Sequence, residues 1–378
     1  MIQEPLNRWT SKEGAVAPGS IAPADCAESN SFYEPPLLDA ALAQLVGKPV
    51  ILLDVTGEDG LALARLPVAR SSRHGRYPAL HCANWVHPHC YYGAPLLRAG
   101  REQDGWRGLL EQLDAASWSG DFLHLRLVDA DGPAVRALQE VCAAEGRSML
   151  EVARYERALL RSGLSAEAYW TENVRSKKRK ELRRQQNRLA ECGTISHRVL
   201  TDGSELRGWC DAFLAIEGLG WKGEEGTALA SSPADERFFR QACADAFAAG
   251  GLDMLRIDCN GQAIAMLVNF VGPKGGFSFK IAIDPAFSRY SPGVLVEMDN
   301  LARVLDAGRA PWMDSCAAPG HPMIDGLWAE RRAIGQYRIA LRKSGLAGLR
   351  GRIMRAGIGA AEAIRRHFKD KPRQEGDQ

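Results

Sequence analysis

The stretch from Leu252 to Ala307 constrains this chain more than any other. Two apolar runs, Leu252 to Asp258 and Gln262 to Phe270, meet at Asn260-Gly261, a pair that accepts the positive φ a tight hairpin turn demands. Gly272-Pro273-Lys274-Gly275-Gly276 turns the chain again into a third run, Phe277 to Ile283. Pro285 to Gly293 then reads as a loop and Val294 to Ala307 as a helix. Such an antiparallel meander ending in strand, loop and helix belongs to a mixed sheet with helices on its faces. Upstream, Ala166 to Glu191 reads as one long charged helix, Ile195 to Leu200 as a strand, and Gly203 to Glu217 and Pro233 to Ala249 as helices.

At 378 residues the chain exceeds the roughly 250–300 residues of a usual single core, so two domains are expected. Residues 1–30, rich in Ala, Pro, Ser and Glu, read as a loose leader. A first domain spans 31–162: a helix around Leu37 to Leu42, strands at Val50 to Val55 and Leu61 to Val68 about the Gly57 to Gly60 turn, and strands at Phe122 to Val128 and Arg154 to Leu160 around the helix Pro133 to Glu145. A second spans 163–344, and 345–378 form a basic tail. With 48 Lys+Arg against 46 Asp+Glu, the net charge of +2 excludes a protein that coats nucleic acid along its whole surface. Nine cysteines without a C-x-x-C pair read as reduced thiols of a cytoplasmic protein, and no run approaches the ~20 apolar residues of a membrane span. His81, Cys82, His87, His89 and Cys90 match no standard zinc spacing. They read as a structured loop lining an acceptor cleft, and no metal is expected.

Five short motifs in order carry a resemblance: Glu217-Gly218-Leu219-Gly220-Trp221-Lys222-Gly223, Asp258 to Ala265, Phe279-Lys280-Ile281-Ala282-Ile283-Asp284-Pro285, Ser291-Pro292-Gly293-Val294-Leu295, and Trp312-Met313-Asp314. Between about Trp170 and Tyr337 the chain resembles the FemAB-like and CelD-like branch of the GNAT acyltransferases. Phe32 to Pro36 and Tyr92 to Leu97 look like the degenerate first half that such proteins carry. The resemblance implies an α/β (α+β) fold of two tandem GNAT-like domains, each a mixed, mainly antiparallel sheet flanked by helices, with catalysis in the second. It implies an N-acyltransferase that takes its acyl group from acyl-CoA or an acyl carrier protein. It implies as acceptor a small-molecule or lipid-like amine, the latter as in bacterial ceramide synthesis. A FemAB-like aminoacyl-tRNA-dependent ligase and a non-catalytic envelope or polysaccharide assembly factor are the alternatives.

Direct transfer from thioester to amine needs a phosphate cradle, a carbonyl polariser and a base. Arg289, Ser291, Gly293, Val294 and Leu295 stand where a strand hands over to a helix, whose first amides and dipole favour phosphate. The loop has one glycine where the wider GNAT pattern has several, so the donor need not be acetyl-CoA. Glu217, Trp221 and Lys222 combine a carboxylate, an aromatic and a cation at a helix end, and Lys280 is a charge within an apolar strand. Asp314 and His321 are read as an orienting carboxylate and a base, with Glu217 as the next candidate base; a Cys316–His321 nucleophile pair is the sharper alternative. Two basic features remain. Arg175, Lys177, Lys178, Arg179, Lys180, Arg183, Arg184 and Arg188 crowd one helix, which a phosphorylated carrier or tRNA would favour. From Leu346 to Lys371, apolar residues at helical spacing alternate with Arg350, Arg352, Arg355, Arg365, Arg366 and Lys369, a pattern suited to peripheral contact with an anionic membrane.

Overall fold

The computed structural model describes residues 21–220, 223 and 225–342. Trp221, Lys222 and the basic tail lie outside the described residues. In the first half the order is α1 (Pro35–Gln44), β1 (Val50–Thr56), β2 (Ala62–His74), β3 (Tyr77–Asn84), β4 (Leu96–Leu97), α2 (Glu102–Ala115), β5 (Phe122–Asp129), α3 (Pro133–Ala144) and β6 (Met149–Leu160). The second half continues with α4 (Ala166–Asn173), α5 (Ser176–Ala190), β7 (Ile195–Val199), α6 (Leu206–Leu219), α7 (Pro233–Ala248), β8 (Leu252–Cys259), β9 (Gln262–Gly272), β10 (Gly275–Ile283), α8 (Pro292–Leu301), β11 (Met313–Asp314) and β12 (Glu330–Ala340). All strands belong to one mixed, mainly antiparallel sheet flanked by helices, in the order β1-β2-β3-β5-β12-β6-β11-β10-β9-β8-β7, with β4 beside β2.

Local signals account for much of this. The β8–β9 hairpin turns at Asn260 and Gly261, with φ of 52° and 81°, as the Asn-Gly pair requires. The expected single helix from Ala166 to Glu191 is instead two. Val174 is extended (φ −101°, ψ 123°) and is buried in one apolar cluster with Tyr169, Leu182 and Ile324, so tertiary packing overrides the helical run. No helix among the described residues is long and apolar enough to cross a membrane.

The two halves share a topology. In each, an antiparallel meander ends in a strand that meets a later strand in parallel: β3 with β5, and β10 with β11. Each half then gives its last strand to the other. β6 pairs with β11 of the second half, β12 pairs with β5 of the first, and β6 and β12 run antiparallel along each other. A division of the sequence at 162/163 is therefore not a division of the sheet. The seam is pinned by buried charge: Arg332 of β12 reaches Asp129 of β5 at 2.9 Å and Asp314 of β11 at 3.0 Å, and Arg157 of β6 reaches Asp314 at 2.6 Å.

Candidate active site

The parallel pair β10 and β11 is joined only at Gly276–Met313 and Phe277–Asp314. Beyond these residues β11 ends, while β10 continues to Ile283, so the sheet opens into a notch between neighbouring strands. At its mouth a bulge at Phe279 shifts the β10–β9 register between Ser278 and Lys280. A bulge adds one residue to one strand and re-aims the side chains after it. Lys280 thereby comes within 3.6 Å of Glu217 at the end of α6, with side-chain exposures of 10 % and 1 %. The structure thus joins two of the residues singled out in the sequence. Glu217 Oε2 also accepts the Leu229 amide at 2.9 Å.

The loop after β3 closes this corner from the first half. His89 Nε2 lies 3.0 Å from Asp235 of α7, and the ring stacks on Phe238. Burial lowers the His89 pKa and Lys280 lowers it further, against the pull of Asp235 and Glu217. Tyr91 packs against Phe279, and burial pushes its hydroxyl up, with Cys316 and Glu217 adding to the effect. His87 is buried and falls to about 3. Tyr91 and Asp235 are members of this corner without a role in the sequence reading, which placed His89 only in a loop lining an acceptor cleft. They come from segments some 145 residues apart in sequence, and only the fold brings them together.

Asp314 does not orient His321, and this corrects the expected pairing. Its carboxylate is fully enclosed: Oδ2 accepts from Arg157 at 2.8 Å and Arg332 at 3.0 Å, and Oδ1 accepts the Cys316 amide at 2.9 Å. Burial would raise its pKa, but the two guanidinium groups hold it below the ordinary carboxylate value. A carboxylate so satisfied has no lone pair left to orient an imidazole, and its work is to fix the strand end. His321 instead accepts the Ile324 amide at Nδ1, 3.4 Å away. Burial and the Asp314 charge push the Cys316 thiol well up, which opposes the thiolate a Cys316–His321 nucleophile pair needs. Cys316 has a φ of 54° and Ser291 a φ of 53°, so two strained residues flank the notch.

Ser291 caps α8 by its backbone. Its carbonyl accepts the amides of Val294 at 2.9 Å and Leu295 at 3.3 Å, which leaves Gly293 N–H as the first-turn amide without a partner among the described residues. A Cβ on Gly293 would meet Ile283 at 3.3 Å, Met323 at 3.4 Å and Ile281 at 3.5 Å, so the glycine lets α8 seat against β10. Met323, two residues past His321, thereby places that loop over the start of α8. Arg289 lies over the Tyr290 ring at 4.7 Å.

Residues 176–319 match the family model described as an acetyltransferase (GNAT) domain. Among solved structures, FemX aligns at a TM-score of 0.52 and 8 % identity, over 84 % of this chain and 93 % of its own. A conserved protein of unknown function from Bacteroides thetaiotaomicron aligns at 0.52 and 13 %, over 85 % and 98 %. Residues 176–319 thus match a GNAT domain, and the fold as a whole is similar to that of FemX. A tandem GNAT protein from the clavulanic acid biosynthesis pathway is also similar, at a TM-score of 0.41 and 14 % identity, over 82 % and 89 %. No curated protein matches by sequence.

Within the matched segment the basic helix α5 rests against the α8 entry. Leu189 packs in one cluster with Tyr290, Leu295 and Val296, and Cys192 donates to the Tyr290 hydroxyl at 3.1 Å. Lys177, Lys180, Arg183, Arg184 and Arg188 are exposed on its outer face, with Glu181 pairing only Arg184 among them. Arg179 turns back to the Thr171 carbonyl at 2.7 Å.

Proposed function

We propose that this chain is an N-acyltransferase that binds a phosphate-bearing acyl donor in the β10–β11 notch and delivers the acyl group to an amine. The observation that carries this reading is the Lys280–Glu217 pair at the mouth of the notch, where the opened sheet meets both charges. The amine attacks the thioester carbonyl, the C–N bond forms, the C–S bond breaks, and the proton lost by nitrogen must be taken up as the thiol leaves. In this reading the Lys280 ammonium faces the developing oxyanion and Glu217 receives the proton. Gly293 N–H and Arg289 meet the donor's phosphates, with Ser291, Val294 and Leu295 shaping the turn. The loop carrying His89 and Tyr91 bounds the acceptor side; Trp221 and Lys222, next after α6 in sequence, remain candidate substrate-binding residues. Acyl-CoA or an acylated carrier protein is the donor, and a lipid-like amine fits the basic tail.

The test is a calorimetric donor panel of acetyl-CoA, palmitoyl-CoA and acyl carrier protein, followed by turnover with an amine set. Lys280→Met should lose at least ~100-fold in kcat with donor affinity retained, the range of one lost oxyanion donor. Wild-type turnover in folded Lys280→Met, or no binding of any donor, would end this reading. His321→Ala decides between bases: a fall equal to that of Glu217→Gln would move the proton to His321. The exposed cations of α5 favour a second reading, in which the donor is an aminoacyl-tRNA. That donor would show steep salt dependence and a large loss on reversing Lys180, Arg183 and Arg184 to Glu, whereas a CoA thioester would show little of either.

A further inference from the structure

Far from the notch, the strands of the first half bring three histidines together. His74 ends β2, His81 is on β3 and His124 on β5, and one donor nitrogen from each lies within 4.8 Å of the other two. Ring centroids are 4.8 Å apart for His74–His124 and 5.5 Å for His74–His81, in edge-to-face arrangements that keep the rings from stacking on one another. His74 and His81 are seven positions apart, but His124 follows 43 positions later, so no local sequence spacing announces the group of three.

Two of the rings have one nitrogen outside any hydrogen bond among the described residues. His81 Nδ1 is 2.9 Å from the Ala79 carbonyl, which only accepts, so Nδ1 carries the proton and Nε2 presents its lone pair. Metal-ligating histidines are commonly oriented in this way through the other ring nitrogen. His124 Nε2 is buried with no hydrogen-bond partner, while Gln336 meets the other nitrogen. A buried imidazole nitrogen without a partner carries a desolvation cost that a hydrogen bond or a metal would remove.

We propose that His74, His81 and His124 form a three-histidine site for a zinc-class divalent ion, with its fourth position open to the adjoining cavity. Tetrahedral zinc with ~2.0–2.1 Å bonds needs nitrogens ~3.4 Å apart, a short inward rotation from the present spacing. Three imidazoles with one open position is the pattern of reactive zinc sites, and structural sites close the fourth position with protein. The cavity of about 640 Å³ beside the rings is lined by Arg70, Arg73, Arg76 and Arg126. No carboxylate lines it, so the ion keeps its positive charge, and the arginines select an anion such as phosphate or a carboxylate as the fourth ligand. The arginines also weaken a bare cation's binding, so metal and anion bind each other's site more tightly together than apart.

The test uses the tag-free full chain, stripped with chelator and dialysed. Zinc titration against a competing dye should give one ion per chain, and Co²⁺ should give the visible bands of tetrahedral coordination, shifted by inorganic phosphate. His74→Ala, at a half-exposed strand end, and His81→Gln should each weaken zinc by more than ~100-fold, beyond the loss of an outer partner. His197→Gln, an exposed histidine paired with Asp299, should bind like wild type. Absence of stoichiometric zinc in the wild type, or unchanged affinity in folded His74→Ala, overturns the site. If His81→Gln does not fold, His74→Ala alone decides, because thermal melting with and without zinc reads folding and binding together. Tetrahedral Co²⁺ bands that phosphate leaves unmoved overturn the open fourth position.

Discussion

Removing one side of a buried ion cluster costs more than removing the whole, because the partner charges stay behind. Asp314→Asn would leave Arg157 and Arg332 facing each other across the seam, and a loss of about 3–5 kcal/mol is expected in urea unfolding. An Asp314 that mattered only to catalysis would show no such loss. Glu34 gives a pH signature. Burial raises its pKa from 4.5 to about 7, opposed by the Asn30 amide, so within that window the folded chain holds a proton the unfolded chain has released. Stability is therefore greatest below 4.5 for this group and falls as pH rises toward 7. Glu34→Gln cannot lose that proton, and between those limits it should lose about 3 kcal/mol less than the wild type. Equal pH slopes in the two proteins would show that Glu34 titrates normally. Glu297, also buried and raised to about 7, keeps its own share of the slope in both proteins.

The start of α8 is the element on which the donor reading turns. Gly293→Ala adds a methyl at 3.3–3.5 Å from Ile283, Met323 and Ile281, which a shift of a few tenths of an ångström relieves, so the fold should tolerate it, and donor KM should rise while kcat holds. Gly293→Val adds two more carbons where Ile281, Ile283 and Met323 already meet, and both melting temperature and donor affinity should fall. An Ala variant with unchanged KM would leave α8 as a packing element only. The β8–β9–β10 meander and α8 were legible because Asn260-Gly261, Gly272-Pro273 and Pro292-Gly293 encode their boundaries locally. α2 is almost as plain, since Trp106, Leu109, Leu110 and Leu113 recur at helical spacing and are all buried, yet the stretch was not read as a helix. β3 was harder: alternate residues of Tyr77-Pro78-Ala79-Leu80-His81-Cys82 include a proline and a histidine, and only pairing with β2 makes it a strand. The site was half legible. Lys280 stood out as a charge in an apolar strand, but its meeting with Glu217 depends on the Phe279 bulge, and a bulge is set by the partner strand.

At the scale of the molecule, the reciprocal exchange of β6 and β12 means that neither half is complete in sequence. A chain ending before Glu330 lacks the strand between β5 and β6, and it should be insoluble or proteolytically open across both halves. Supplying residues 163–342 in trans to 21–162 should restore a protease-resistant complex if the seam holds as drawn; two independently stable fragments would contradict it. The C-terminal segment beyond 344 makes a separate demand. Full-length protein should sediment with anionic liposomes at low salt and be released at high salt, and a chain ending near Ser344 should not sediment. The exchange also sets an order of events on the ribosome. Both of β6's eventual neighbours, β11 and β12, are synthesised after it. At about 5–20 residues per second, the 180 residues from Leu160 to Ala340 take roughly 10–40 s to emerge. Meanwhile β5, α3 and β6 can close as a parallel βαβ unit, since β12 is antiparallel to both strands and they are therefore parallel to each other. The nascent chain must then reopen that unit to admit its last strand, and a late translational stall would leave a folded first half with the wrong neighbour.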